Sequence, residues 1–211
     1  MNTPSPRGGD TDTSGASATR RRTASDQVSA ALVSAAETVL DRGGVNEVTV
    51  RAVAREAGVA PMGVYNRFGS KEGLISALAM RARHELTTAI AVPADCEPAE
   101  RLRRACRGYR SFALAHPARY TLIFATGSPL GDTASAVATH GRSVFGVLTD
   151  LVAALVADDE DPRESSQAVW SGVHGAVTIE QAGLGQTADA TASFERLLDL
   201  LVAGLTAGVA R

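Results

Sequence analysis

Between residues 49 and 71 the chain carries side chains whose types and spacing suit contact with double-stranded DNA. The amide of Asn66 can pair with a base edge, adenine above all, and Pro61 and Met62 offer apolar surface to thymine methyls. Gly63 keeps the surrounding helix slim enough for a major groove. Tyr65, Arg67 and Lys71 supply a hydroxyl, a guanidinium and an ammonium, donors that suit phosphates and fix register without reading sequence. Thr49 and Arg51, at the start of a preceding helix, are placed to grip the neighbouring strand, helped by that helix's N-terminal amides.

Such contacts need two short helices crossing at close range. The run Val53-Ala54-Arg55-Glu56-Ala57-Gly58-Val59-Ala60-Pro61-Met62-Gly63-Val64 has that layout. Ala54 is the small residue facing the partner helix, and Gly58 tolerates the positive φ of the turn. Val53, Ala57, Val59 and Val64 are expected to seal the pair from inside, and Phe68 to close its floor. Thr49 is a plausible cap for a first helix over about 50–57, and Pro61 sits at the first position of the second. Ser70 caps a long helix striped by Leu74, Ile75, Leu78, Ala82, Leu86 and Ile90, which Pro93 ends. Upstream, Val28, Ala31, Leu32, Ala35, Ala36, Val39 and Leu40 form a helical stripe from Asp26 to Gly43-Gly44.

The continuation Val64-Tyr65-Asn66-Arg67-Phe68-Gly69-Ser70-Lys71-Glu72-Gly73-Leu74 resembles the signature of TetR-family transcriptional regulators. The resemblance covers about Asp26–Leu86. Weaker matches at Phe112–Phe124 and Trp170-Ser171-Gly172-Val173-His174-Gly175 look like a subgroup with a Trp-x-x-x-His-Gly C-terminal domain. It implies an N-terminal three-helix helix-turn-helix unit followed by a helical ligand-binding and dimerisation domain. It further implies a homodimer on a pseudo-palindromic operator, repressing until a small, mostly apolar effector releases it. Activation, or ligand binding without an operator, are the alternatives. Three positions depart from the pattern: Ala60 lacks a capping oxygen, Arg67 stands where many relatives have histidine, and Gly73 replaces a frequent glutamate.

Composition agrees with a helical chain. Of 211 residues, 45% are hydrophobic and only 4% aromatic, and 38 alanines favour helix over sheet. Further helices are expected at about 98–115, 120–124, 133–157, 162–184 and 190–209, with no strand pattern, so the fold class is all-α. We divide it into a disordered tail (1–25), a helix-turn-helix DNA-binding domain (26–70) and an effector-binding and dimerisation domain (71–211). Arg20–Arg22 read either as a solubilising tail or as a basic arm along DNA. The last two helices, with Gly172, Gly175, Ala176, Gly183, Ala203 and Gly204, are the expected dimer interface. Tyr109, Phe112, Tyr120, Phe124, His140, Phe145, Trp170 and His174 are candidates for the effector pocket. Helical spacing alone leaves open whether they line a pocket, the core or the interface.

The net charge of −2 excludes a protein that coats nucleic acid along its length. Position is more telling: residues 20–71 hold eight cationic against five acidic side chains, and residues 73–211 hold twelve against fifteen. Four scattered histidines and two cysteines, Cys96 and Cys106, give no metal-ligand spacing, so no metal and no cofactor are expected. No phosphate loop, nucleophile elbow or metal-binding histidine pair points to an enzyme. No apolar run is long enough for a bilayer and no secretory leader is visible, which makes a cytoplasmic protein the expectation.

Overall fold

The computed structural model describes residues 13–124, 144–157 and 159–207, with side chains from Asp26 onward, and those residues contain helices and no strand. The helices are α1 (Thr13–Gly43), α2 (Val50–Glu56), α3 (Pro61–Phe68), α4 (Lys71–Ala89), α5 (Pro98–Ala115), α6 (Pro117–Phe124), α7 (Val144–Ala153), α8 (Pro162–Gln181) and α9 (Ala190–Ala207). A single 3-10 turn at Val45–Glu47, not anticipated from the sequence, joins α1 to α2.

Local chemistry explains most boundaries. Gly44, at φ 77°, stops α1. The Thr49 hydroxyl accepts the Ala52 N–H at 3.1 Å and starts α2. Gly58, at φ 66°, makes the turn between α2 and α3. Pro61 opens α3, whose cap position Ala60 offers no side-chain acceptor. Ser70 accepts the Gly73 N–H at 3.1 Å and starts α4, and Asp161 accepts from the Arg163 N–H at 2.9 Å to start α8.

Several expectations are corrected. Residues 13–25 are helical instead of forming part of a tail, because Ala16, Ala18, Arg20–Arg22 and Ala24 are good helix formers and extending an existing helix needs no new nucleus. Val28, expected on the buried stripe, is exposed, since the packing of α1 begins one turn later at Leu32. Val59, expected inside the helix pair, is also exposed. The helix expected over 133–157 is described only as Val144–Ala153, and its N-terminal part, His140 included, lies outside the described residues. Helix α4 ends at Ala89, short of Pro93. Its last carbonyls rest on α5 at Gly108, where any Cβ would run into the Ala89 oxygen.

Two apolar cores form. The first joins Leu32, Ala36, Val39 and Leu40 of α1, Val53 and Ala54 of α2, Val64 of α3, and Leu74, Leu78 and Ala79 of α4. The second joins Ala82 and Leu86 of the lower half of α4, and Ile90 just beyond its end, to α5, α7, α8 and α9. Helix α6 serves both: Leu122 is buried in the first core, while Tyr120 and Ile123 are buried in the second. The packing therefore has no seam at residues 70/71.

A charged clasp crosses between the cores. Arg119 of α6 donates two hydrogen bonds to Asp41 of α1, at 3.1 and 2.6 Å, and one to Glu85 of α4 at 2.8 Å. Glu37 of α1 is buried beside it. Arg81 Nε lies 3.4 Å from Glu37 Oε1 as an ion pair, without hydrogen-bonding geometry. Burial raises the Glu37 carboxyl above its ordinary range, with the neighbouring Glu85 adding to the rise. The arginine hydrogen bonds hold Glu85 below its ordinary range despite its burial.

Candidate nucleic-acid interface and ligand site

Helix α3 has one buried residue, Val64, with Phe68 half-buried one turn on. Because 3.6 residues make a turn, Met62 and Asn66 fall on the opposite side of the helix. Both are exposed, as are Pro61, Gly63, Tyr65 and Arg67. Thr49 and Arg51 at the start of α2, and Lys71 at the start of α4, are exposed as well. All nine candidate DNA-contact residues thus lie at the surface of one helix-turn-helix unit. Two carry other duties. The Thr49 hydroxyl is engaged as a helix cap, and Arg67 reaches Asp26 of α1 at 3.5 Å, an exposed and weak pair.

The neighbouring cations differ in what they offer. Arg42 is engaged with Glu56 at 2.6 Å. Lys71 occupies the first turn of α4, where Glu72 accepts its own backbone N–H and the Ser70 hydroxyl, which hold that carboxyl below its usual range. Gly73 is fixed by steric contact, because a Cβ there would run into the Phe68 carbonyl oxygen. The departure from glutamate at this position therefore goes with a tight α3–α4 corner.

In the C-terminal half, the structure brings together six of the eight pocket candidates. Tyr120 Oη lies 2.7 Å and Tyr109 Oη 2.9 Å from His174 Nδ1, and the two hydroxyls are 3.1 Å apart. Around this triad, Phe124 packs 5.0 Å from the His174 ring and 6.3 Å from Trp170, and Phe145 lies 5.8 Å from Trp170. Phe112 is not part of the cluster. Its ring packs on His116 at 5.4 Å, beside an open groove of about 700 Å³ between α4 and α5. His140 lies outside the described residues.

Burial lowers the His174 imidazole from its ordinary value, so the ring is held neutral at pH 7. Burial also raises both phenols, and the hydrogen bond that Tyr109 donates to Tyr120 raises Tyr109 further. With Nδ1 accepting the Tyr120 hydroxyl proton, the neutral ring carries its proton on Nε2, a tautomer assigned from this network. The indole N–H of Trp170 is buried near the Tyr109 hydroxyl, yet no acceptor among the described residues meets it in hydrogen-bonding geometry. Three arginines of α5 are committed elsewhere, Arg107 to Glu195, Arg110 to Glu180 and Arg103 to Asp199, whereas Arg101 Nε, two turns before Tyr109, is buried without a hydrogen-bond partner among the described residues.

Sequence reasoning missed the Arg119 clasp and the triad as a unit. Arg119 carried no signal, because its partners lie 34 and 78 residues away. The triad joins α5, α6 and α8, and periodicity reports a face of one helix and not the meeting of three. Among the described residues no cluster of three or more His, Cys, Asp or Glu could hold a metal ion, and no helix is long and apolar enough to cross a membrane.

Comparison with known proteins places this architecture. Residues 32–78 match the model described as bacterial regulatory proteins, tetR family, and residues 102–201 match that of the tetracyclin repressor-like C-terminal domain. An uncharacterized HTH-type transcriptional regulator of Mycobacterium tuberculosis is 28% identical over 175 residues, covering 82% of this chain and 79% of the relative. The crystal structure of Mycobacterium smegmatis BioQ is 32% identical, covers 84% of this chain and 97% of its own, and has a TM-score of 0.62. A BioQ structure with its double-stranded DNA operator is 30% identical, covers 83% and 96%, and has a TM-score of 0.60. A Rhodococcus protein of unknown function is similar at TM-score 0.72 and 26% identity, with 84% and 95% coverage. A helix-turn-helix unit with an exposed recognition face, joined to this helical C-terminal domain, makes the chain a member of the TetR family of transcriptional regulators.

Proposed function

We propose that the protein is an effector-released repressor that binds a pseudo-palindromic operator as a homodimer in the cytoplasm. The observation that carries this reading is the exposed face of α3, with Met62 and Asn66 opposite buried Val64 and flanked by Tyr65, Arg67 and Lys71. Asn66 reads a base, Pro61, Met62 and Gly63 meet the groove floor, and Tyr65, Arg67, Lys71, Thr49 and Arg51 hold phosphates. BioQ, seen with its operator, supports an operator as the partner of this unit too.

The dimer pairs α8 and α9 with their copies as a four-helix bundle. Ile179, Leu184 and Leu200 are exposed there, and Gly175 and Gly204 have open space above their Cα atoms. Gly172 faces inward on Leu197 and Leu201 and serves the fold within one chain. Two-fold symmetry then places two recognition helices about one DNA turn, or a related spacing, apart. The effector occupies the Tyr109–Tyr120–His174 cluster with its ring neighbours Phe124, Phe145 and Trp170. It acts by binding one arrangement of the two domains better than the other. The DNA-reading unit is centred on residues 26–70, and residues 71–211 bind effector and partner.

Selection of bound fragments from genomic DNA identifies the operator. On that operator, Tyr65→Ala with Lys71→Ala abolishes binding while leaving the helical circular dichroism unchanged. Unchanged operator affinity in the double variant would overturn the contact assignment, and a monomer by sedimentation at micromolar concentration would overturn the dimer.

A further inference from the structure

We infer that the effector is an uncharged molecule with a flat apolar body and a hydrogen-bond acceptor that takes the N–H groups of Trp170 and His174. This rests on the effector-site reading above and adds to it the chemical class. The two hydroxyls and His174 Nδ1 satisfy one another within 3.1 Å, so the triad has no donor left over for a ligand. What remains are two N–H groups one helical turn apart on α8, with ring centroids 5.9 Å apart. The Trp170 N–H is buried near the Tyr109 hydroxyl without meeting it or any other acceptor among the described residues in hydrogen-bonding geometry, and the half-buried His174 makes no hydrogen bond through Nε2 to the described residues. A buried donor left unpaired is costly, and a ligand acceptor removes that cost.

Charge narrows the class. Arg103, Arg107 and Arg110 of α5 are each held by a carboxylate of α8 or α9, and Arg101 lies two turns before Tyr109 on that helix. An anionic headgroup would therefore give up its hydration for two N–H dipoles and no cation. Aromatic walls of this kind can hold a cation. Here the two unpaired polar groups are both donors, and donors repel a cation. An acceptor without charge, such as a ketone, lactone or ring-nitrogen compound, fits both facts. Phe124, Phe145, Trp170 and His174 are each half-buried, which leaves ring surface for a flat body to cover.

The test uses four naphthalenes that differ in headgroup: 2-acetonaphthone, 2-isopropylnaphthalene, 2-naphthoate and 2-naphthylmethylammonium. Calorimetric titration of the full chain gives their affinities. Trp170 is the only tryptophan in the chain, so a nitrogen-15 spectrum holds a single indole N–H resonance to follow. The ketone is expected to bind about five- to tenfold tighter than the hydrocarbon and to shift the indole proton downfield. In Trp170→Phe, which keeps an aromatic wall and removes the N–H, ketone and hydrocarbon are expected to bind equally. Tightest binding by the naphthoate or the ammonium, or equal binding of ketone and hydrocarbon to the unaltered chain, overturns the neutral-acceptor class and leaves the effector site standing. If none of the four binds or moves the indole resonance, the effector-site reading itself fails. If Trp170→Phe retains the ketone preference, the indole assignment is wrong.

Discussion

Replacing Lys71 with glutamine isolates one proposed phosphate contact from the folding of the unit that carries it. The side chain is exposed in the first turn of α4, and it is the chain's single lysine. A cation there opposes the helix dipole, so its removal leaves stability unchanged or raises it by about 0.3 kcal/mol. Any loss of DNA affinity is then a loss of contact. Each neutralised phosphate contributes about 0.9 to the slope of log affinity against log salt, and the proposed dimer presents Lys71 twice. The variant's slope is therefore shallower by about 1.8. Raising salt from about 50 to about 200 mM then weakens the unaltered protein about tenfold more than the variant. Fluorescence anisotropy on the selected operator, repeated across salt concentrations, measures both slopes. Parallel slopes would refute the contact, however large the affinity change at one salt concentration. Asn66→Ala is the control of opposite type, because it should relax base preference at one operator position while keeping the slope.

Three further expectations concern the scaffold. Gly73→Ala sets a methyl against the Phe68 carbonyl, and overpacking of this kind costs roughly 1–3 kcal/mol, a fall in Tm of roughly 3–10 °C by calorimetry. An unchanged Tm would mean that the α3–α4 corner is not tight. Glu37→Gln should raise thermal stability at pH 7. The folded carboxyl is raised above its unfolded value, so ionised Glu37 weakens the fold as pH rises through the folded value, and below the unfolded value the substitution is neutral. A gain that is equal at acidic and neutral pH would contradict that linkage. Cys106 is buried and its thiol is pushed up to about 12, mainly by burial, whereas Cys96 is half-exposed. Iodoacetamide at mildly alkaline pH is therefore expected to label Cys96 alone in the native chain, as mass spectrometry would show, and modification of both at similar rates would contradict the burial.

The helix-turn-helix unit was legible because its constraints are local. Thr49, Gly58, Pro61 and Ser70 act within three or four residues of their own positions, and Tyr65 through Lys71 carry the family pattern in one unbroken run. The stripe of α4 was equally readable, since Leu74, Leu78, Ala82 and Leu86 need only helical spacing. What escaped depends on distance along the chain. Val59 and Val28 have the right type for burial, but among the described residues no neighbour covers them. Phe112 and Tyr109 are three residues apart on α5, yet only Tyr109 meets α6 and α8 at the triad. Residues 13–25 read as a tail because they lack large apolar groups, and helix extension from α1 does not require them.

Helix α6 bears on how freely such regulators can be recombined. Its eight residues seat Leu122 among the side chains of α1 and α4, Tyr120 beside His174, and Arg119 on Asp41 and Glu85. A chimaera joined at residues 70/71, combining this reading head with a relative's sensor, would import an α6 whose counterpart seats on α1 are missing. Grafts that carry α6 must carry its matching α1 surface, in particular the positions of Asp41 and Leu40. Changes at Trp170 and Phe145, which lie off that helix, leave the shared surface intact and are the freer route to altering the proposed effector site.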